Sequence, residues 1–93
     1  MSVLATKQIN ENLKNLPGWE LSGNSIEKTY IHDNFKAALD FVNTAGKLAE
    51  EADHHPNILM HDWNKVTVTI STHGEGGVTQ KDIDLAKRIN DKI

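Results

Sequence analysis

The chain has 93 residues, a formal net charge of −3 with histidine neutral, and no cysteine. This length predicts a single domain, residues 1–93, with a small core, and small cores are often stabilised by association into oligomers. The absence of cysteine excludes disulfides and thiolate metal sites, and the interspersed charges argue against nucleic acid as a direct ligand.

The first residues of the chain contain neither a basic segment nor a long apolar run. We therefore expect no signal peptide and a cytoplasmic location. The longest apolar run, residues 58–60, is far too short to cross a bilayer, so no membrane association is expected.

The first predicted element is a helix over residues 6–16, because Ile9, Leu13 and Leu16 lie on one helical face. Thr6 is its expected N-cap, and the proline–glycine pair that follows the last leucine is expected to end it.

A hairpin is predicted next. Residues 19–21 form a short strand, residues 22–24 a turn in which glycine and asparagine tolerate positive φ, and residues 26–31 a second strand rich in β-formers.

The longest predicted helix follows a cap at Asp33 or Asn34 and ends near Asp53, because Pro56 disfavours helical geometry at the residue before it. Its expected apolar stripe has intervals of one, three and four: Phe35, Ala38, Leu39, Val42, Ala45, Ala49 and Ala52.

Two more strands are predicted over residues 58–63 and 66–70, with a tight turn at Asn64. The second alternates apolar and polar residues, as a strand with one buried face does. Thr79 and Asp82 form a capping box for a last helix. Its expected buried stripe is Ile83, Ala86, Ile89 and Ile93.

The element order is therefore α-β-β-α-β-β-α. It predicts an α+β fold in which a single four-stranded antiparallel sheet carries three helices on one face.

Histidine is the unusual residue type, because four of the five histidines fall within twenty positions: His54, His55, His61 and His73. His32 stands apart at a strand end, and we expect it at the surface. The cluster has three interpretations on residue type alone. These interpretations are a zinc site, an acid–base site, and a set of polar surface residues.

Zinc is the weakest of these, because adjacent histidines such as His54 and His55 point apart and no HxH, HExxH or HxxxH pair occurs. Acid–base chemistry suits a side chain that titrates at about pH 6.5. Glu50 lies one helical turn before His54 and could orient an imidazole. Polar residues at element ends are nonetheless common, so the residues alone leave the choice open.

A longer pattern surrounds these histidines: Glu50-Glu-Ala-Asp-His-His-Pro56, Trp63 followed by Asn-Lys-Val, Ser71-Thr72-His73, Gly77 and Asp82. This pattern resembles the signature of the pterin-4a-carbinolamine dehydratase family. The resemblance implies a homodimer or homotetramer that removes water from 4a-hydroxytetrahydropterin, gives quinonoid dihydropterin, and so recycles the cofactor of aromatic amino acid hydroxylases.

The family pattern also implies residue roles. His54 and His73 carry over as the acid–base pair, and His55 as a residue that binds and orients substrate and can share in proton transfer. No metal and no cofactor is implied. Asp82 belongs to the motif, but its capping box explains it, and His61 is not a family position. The predicted substrate-binding residues are Glu50, Pro56, Ser71, Thr72, Gly74 and Glu75.

Two departures from the animal members stand out. The segment between Pro56 and Trp63 is one residue longer and lacks an early aromatic, and Glu75 replaces a cysteine. Two alternatives remain: a dimerising binding module, as the animal coactivators of a homeodomain transcription factor are, or a dehydratase for a different pterin.

Overall fold

The structure, a computed structural model, describes residues 2–92. Its elements confirm the predicted order of three helices and four strands. They are α1 (Thr6–Leu13), β1 (Glu20–Ser22), β2 (Ser25–Ile31), α2 (Phe35–Ala52), β3 (Asn57–His61), β4 (Lys65–Ile70) and α3 (Gln80–Asn90).

The four strands form one antiparallel sheet in the order β1-β2-β4-β3. Burial alternates along β4: Val66, Val68 and Ile70 are inaccessible, whereas the residues between them are half-buried. The three helices cover the apolar face, as predicted. Within residues 2–92, every helix is too short or too polar to cross a membrane.

The limits of α1 differ from the prediction. Its N-cap is Ala5, whose N–H donates to the side-chain oxygen of Gln8 at 2.9 Å, so Thr6 is already helical. The helix ends at Leu13 because the next amides bond to carbonyls three residues back. Leu16 is still buried, since the turn directs it into the core.

The second helix begins and ends where the sequence indicates. Asn34 is the N-cap, and its side chain accepts the N–H of Ala37 at 2.8 Å. Asp53 is the C-cap, with a left-handed φ of 49°. This reversal directs the chain that follows away from the axis of α2.

The buried stripe of α2 is rotated from the predicted one. Phe35 and Leu39 are 55% and 44% exposed, whereas Phe41 and Leu48, which the prediction omitted, pack in the core. The apolar residues of α2 form an almost continuous band around the helix, and the sheet contacts the side of this band that contains Phe41 and Leu48. The predicted Ala52 is exposed as well. The observed buried set is Ala38, Phe41, Ala45, Leu48 and Ala49.

The prediction that the third strand reaches Trp63 is wrong. The strand ends at His61, and Asp62 and Trp63 have positive φ values of 47° and 55°. A left-handed pair of this kind turns a hairpin tightly, so Trp63 belongs to the turn and is 59% exposed. At the other hairpin, Trp19 precedes β1 and packs in the core.

The capping box of α3 is present as predicted: Thr79 is the N-cap, and its N–H donates to Asp82 at 2.7 Å. The predicted stripe is buried as far as Ile89, and Leu85 joins it, while Ile93 lies outside the described residues.

The last residue of α3, Asn90, is the centre of a polar cluster. Its Oδ1 accepts hydrogen bonds from Trp19 Nε1 (3.1 Å), Lys28 Nζ (3.2 Å) and Tyr30 Oη (2.6 Å). We call these four residues the Asn90 cluster. Burial raises the pKa of Tyr30 and lowers the pKa of Lys28.

Candidate functional site

The centre of the candidate site is a contact between the end of α2 and the start of α3. His54 follows the left-handed Asp53, and its N–H still donates to the carbonyl of Ala49 at 3.1 Å. Its Nε2 lies 2.5 Å from Asp82 Oδ1. The His54 side chain is 11% exposed and that of Asp82 is inaccessible. The imidazole is therefore held against a buried carboxylate.

The second oxygen of Asp82 has its own donors. Oδ2 accepts the N–H of Thr79 at 2.7 Å and the hydroxyl of Thr72 at 2.9 Å. The two threonine hydroxyls are 2.8 Å apart. We call His54, Thr72, Thr79 and Asp82 the Asp82 cluster. It joins the residue that follows α2 to two neighbouring segments, the start of the turn that carries His73 and the first turn of α3.

His73 lies directly beside this cluster in the chain. It is exposed in a four-residue turn that Thr72 closes, because the N–H of Thr72 donates to the carbonyl of Gly77 at 2.9 Å. The carbonyl of Thr72 accepts the N–H groups of Glu75 and Gly76, each at 3.0 Å. The turn therefore fixes the backbone of His73 next to a residue that contacts Asp82.

His55 points in a different direction from His54, as expected for adjacent residues. Its Nε2 is hydrogen-bonded to the carboxylate of Glu50. The two side chains are 58% and 76% exposed. Glu50 thus orients an imidazole, as its spacing suggested, but the imidazole is that of His55.

The remaining predicted substrate-binding residues lie around this point of the fold. Pro56 and Ser71 are half-buried, and Gly74 and Glu75 are exposed in the turn that follows His73. The main-chain groups of Thr72 already bond within that turn. Substrate binding by these residues stays a prediction.

His61 is separate from this group, at the opposite end of β3 from His55. Its Nδ1 lies 2.8 Å from Asp62 and its Nε2 lies 2.8 Å from the hydroxyl of Thr67. The hydrogen bond and charge of the imidazole lower the pKa of Asp62. These contacts account for His61 without a role at the Asp82 cluster.

His32 is not the simple surface residue that the sequence suggested. It is half-buried, and its ring packs against Phe41 with 4.9 Å between centroids. Its Nε2 is buried and has no hydrogen-bond partner within residues 2–92.

Metal ligands do not converge in the part of the chain that the structure describes: no three potential ligands form a group there. A cavity of about 630 Å³ lies between α2 and the end of α3, and one of about 460 Å³ lies between the end of α3 and the turn that follows α1; both are lined by residues other than the five histidines. Neither cavity is part of the Asp82 cluster.

Sequence reasoning missed one contact of the candidate site. Asp82 was explained as a helix cap, yet its Oδ1 binds His54, 28 positions away in the sequence, while Oδ2 makes the cap. A capping box uses only one carboxylate oxygen. The position of this aspartate in the same motif as the histidines was the signal that pointed to a second role.

Comparison with known proteins gives a consistent result. The family model described as "Pterin 4 alpha carbinolamine dehydratase" matches residues 2–92. A protein of Sulfurisphaera tokodaii is 42% identical over 93 residues, covering 100% of this chain and 99% of its own length. One from Thermosynechococcus vestitus is 46% identical over 87 residues, covering 94% and 90%. Both carry the name "Putative pterin-4-alpha-carbinolamine dehydratase".

Two solved structures are similar. A "transcriptional coactivator/pterin dehydratase" from Brucella melitensis superposes with a TM-score of 0.91, at 35% identity and 97% coverage of both chains. A pterin dehydratase-like RuBisCO assembly factor of the alpha-carboxysome has a TM-score of 0.64 at 18% identity, covering 78% of this chain and 83% of its own. The second shares the fold alone.

Proposed function

The chain belongs to the pterin 4 alpha carbinolamine dehydratase family, and we propose that it converts 4a-hydroxytetrahydropterin to quinonoid dihydropterin by histidine acid–base catalysis. The observation that supports this most directly is His54, a titratable ring held at 2.5 Å by the buried carboxylate of Asp82 beside the turn that carries His73.

The reaction needs two proton transfers. The hydroxyl on C4a leaves as water once a general acid protonates it, and a base removes one proton from the ring. Positioned imidazoles accelerate such steps by roughly 10²–10⁴-fold. We assign the acid–base pair to His54 and His73. We assign orientation of the substrate to His55, which Glu50 holds.

Asp82 gives His54 a defined function in this scheme. A carboxylate only accepts hydrogen bonds, so the hydrogen between the two side chains belongs to Nε2 of the imidazole. In the neutral ring this leaves Nδ1 with the lone pair, and the hydrogen bond of the ring within residues 2–92 is made by Nε2. We infer that Nδ1 exchanges the proton with substrate.

The proposed reaction transfers protons and releases water without oxidation or reduction, and we propose that it uses neither metal nor cofactor. Recycling of the tetrahydropterin of an aromatic hydroxylase is the proposed physiological role. Assembly as a homodimer or homotetramer and a cytoplasmic location stay predictions from the family resemblance and the sequence.

The test generates 4a-hydroxytetrahydropterin in situ and follows quinonoid dihydropterin with wild type, His54→Ala and His73→Ala, with His61→Ala as the matched control. We expect each of the first two variants to lose roughly 100-fold or more in rate. The control should retain full activity, because its contacts are with Asp62 and Thr67.

Failure of wild type to accelerate the reaction would overturn the proposed function. It would favour the alternatives, a binding module or a dehydratase for another pterin. Exposed Phe35 and Leu39 on α2 are the feature that suits a binding module. Unchanged rates in both histidine variants would overturn the residue roles. Loss of activity with a chelator, followed by recovery with zinc, would show that catalysis depends on a metal ion.

A further inference from the structure

The hydroxyl groups behind Asp82 form a chain whose hydrogen-bond directions are fixed. The N–H of Lys81 can only donate, so Thr79 Oγ1 accepts from it at 3.3 Å. Each hydroxyl carries one hydrogen. Thr72 gives its hydrogen to Asp82 Oδ2, since the carboxylate can only accept. Thr72 must therefore accept from Thr79 across the 2.8 Å contact.

Every hydrogen in this chain consequently points toward one carboxylate. Asp82 receives the Thr72 hydroxyl and the Thr79 N–H on Oδ2, and the His54 Nε2–H on Oδ1. Asp82 and Thr79 are both inaccessible to solvent, so the carboxylate takes its hydrogen bonds from protein donors. The orientation of the carboxylate is set from the side opposite His54.

We propose that Thr72 and Thr79 are positioning residues of the site. Their hydroxyls hold the Asp82 carboxylate so that it binds Nε2–H of His54 and leaves Nδ1 for the substrate. The expected effect on kcat rests on the proposed function. The expected effect on the His54 tautomer does not. The proposal assigns the Thr72 hydroxyl to Asp82, whereas the predicted substrate contact of Thr72 concerns its backbone groups.

The alternative explanation, a purely structural cap, makes a different prediction. The cap of α3 uses the Thr79 N–H and the Thr79 side chain, and neither bond needs the Thr72 hydroxyl. Removing that hydroxyl would then affect stability alone. A positioning role requires an effect on the imidazole itself.

The decisive variant is Thr72→Val, which keeps the branched shape and removes the hydroxyl. Long-range proton–nitrogen NMR spectra, recorded where the imidazoles are neutral, report which nitrogen of His54 carries the hydrogen. We expect the Nε2–H form in wild type and a mixture of both tautomers in Thr72→Val. We expect kcat to fall about tenfold, the loss of one bond to a charged group, with KM changed less than about twofold.

Two further variants complete the test. Thr72→Ser restores a hydroxyl and should recover the wild-type tautomer and most of kcat. Thr69→Val, on the open face of the same sheet, removes a hydroxyl that only reaches Glu27 at 3.4 Å and serves as the matched control. Neither spectrum nor rate should change in it.

The outcomes separate the explanations. An unchanged His54 tautomer in Thr72→Val would overturn the proposal, and so would a raised KM with normal kcat, which indicates a substrate ligand. A wild-type spectrum with the hydrogen on Nδ1 would overturn it even if Thr72→Val does not fold. Absence of turnover by wild type would reject the proposed function while the tautomer measurement still decides the positioning role.

Discussion

The two ends of α3 are built alike and differ in what they leave exposed. At the first turn, the Asp82 carboxylate collects donors from Thr72, Thr79 and His54. At the last residue, the Asn90 amide oxygen collects donors from Trp19, Lys28 and Tyr30. In both clusters one acceptor on α3 connects this helix to two other segments of the chain.

The donors around Asn90 all bond to groups of the protein itself. Lys28 Nζ also donates to the carbonyl of Pro17 at 2.7 Å and lies 4.4 Å from the centre of the Tyr30 ring. The Asp82 cluster instead ends in His54, a ring with a second nitrogen, next to the exposed turn of His73. Buried hydrogen bonds are present at both ends of α3, so they do not by themselves distinguish the proposed reactive site from a structural cluster.

The largest effect is expected for a substitution at the first turn of α3, which should lower both stability and activity. Asp82→Ala removes the acceptor for three donors, so we expect a loss of about 3 kcal/mol in the free energy of unfolding. The dehydratase kcat/KM should fall by roughly 100-fold or more, because the His54 ring is no longer held. Urea unfolding and the in situ dehydratase assay measure the two quantities.

Asn90→Ala is the matched change at the other end. It should lower the free energy of unfolding by about 2 kcal/mol, because three donors lose their acceptor, and leave kcat/KM of the folded protein unchanged. An activity loss as large as that of Asp82→Ala would show that the two clusters are not distinct in function.

A smaller effect tests the Asn90 cluster through its only tyrosine. Burial raises the pKa of Tyr30 in the folded state above its value of about 10 in the unfolded chain. Below pH 10 neither state ionises, so the stabilisation is complete. As the pH rises further, the unfolded chain loses the proton first, and stability should fall. Urea unfolding between about pH 9 and 11 measures this slope.

The single tyrosine makes the interpretation direct. The tyrosinate absorption band should appear near pH 10 in urea and only at higher pH in the folded protein. Tyr30→Phe should cost about 1 kcal/mol at neutral pH and should flatten the decline above pH 10. An equal slope in Tyr30→Phe would assign the decline to other groups.

The smallest effect on the free energy of unfolding is expected for an exposed ion pair between α3 and α2. Arg88 donates to Glu51 at 2.7 Å and so links α3 to α2, but the side chains are 43% and 47% exposed. Arg88→Gln should therefore cost about 0.5 kcal/mol at low salt and less at high salt. Lys36→Gln, which breaks a more exposed pair within α2, should cost still less. A cost as large as that of Asn90→Ala would contradict this ranking.

The sequence predicted the features that neighbouring residues determine. Alternation specified the buried face of β4, Asn34 and Asp53 bounded α2, and Thr79 with Asp82 capped α3. Each of these depends on contacts within a few positions. For the same reason the order of elements and the α+β fold could be predicted before any tertiary contact was known.

Features that depend on distant residues could not be derived in this way. The apolar band of α2 is wide enough to bury either flank, and only the sheet decides that Phe41 rather than Phe35 enters the core. The bond between His54 and Asp82 spans 28 positions. The family resemblance pointed to the histidines, but the buried partner of His54 emerges only when α2 and α3 meet.

The hairpin turn at Asp62 and Trp63 has a consequence for how sequences of this family can vary in length. The five residues of β3 place this turn roughly 15 Å from His54 and His55. The extra residue before Trp63, relative to animal members, can therefore be accommodated at the far end of a strand pair. One residue inserted between Asp53 and His54 would instead displace His54 from Asp82. A change of length at the tip of this hairpin therefore leaves the histidines in place, whereas a change of length at its base moves them.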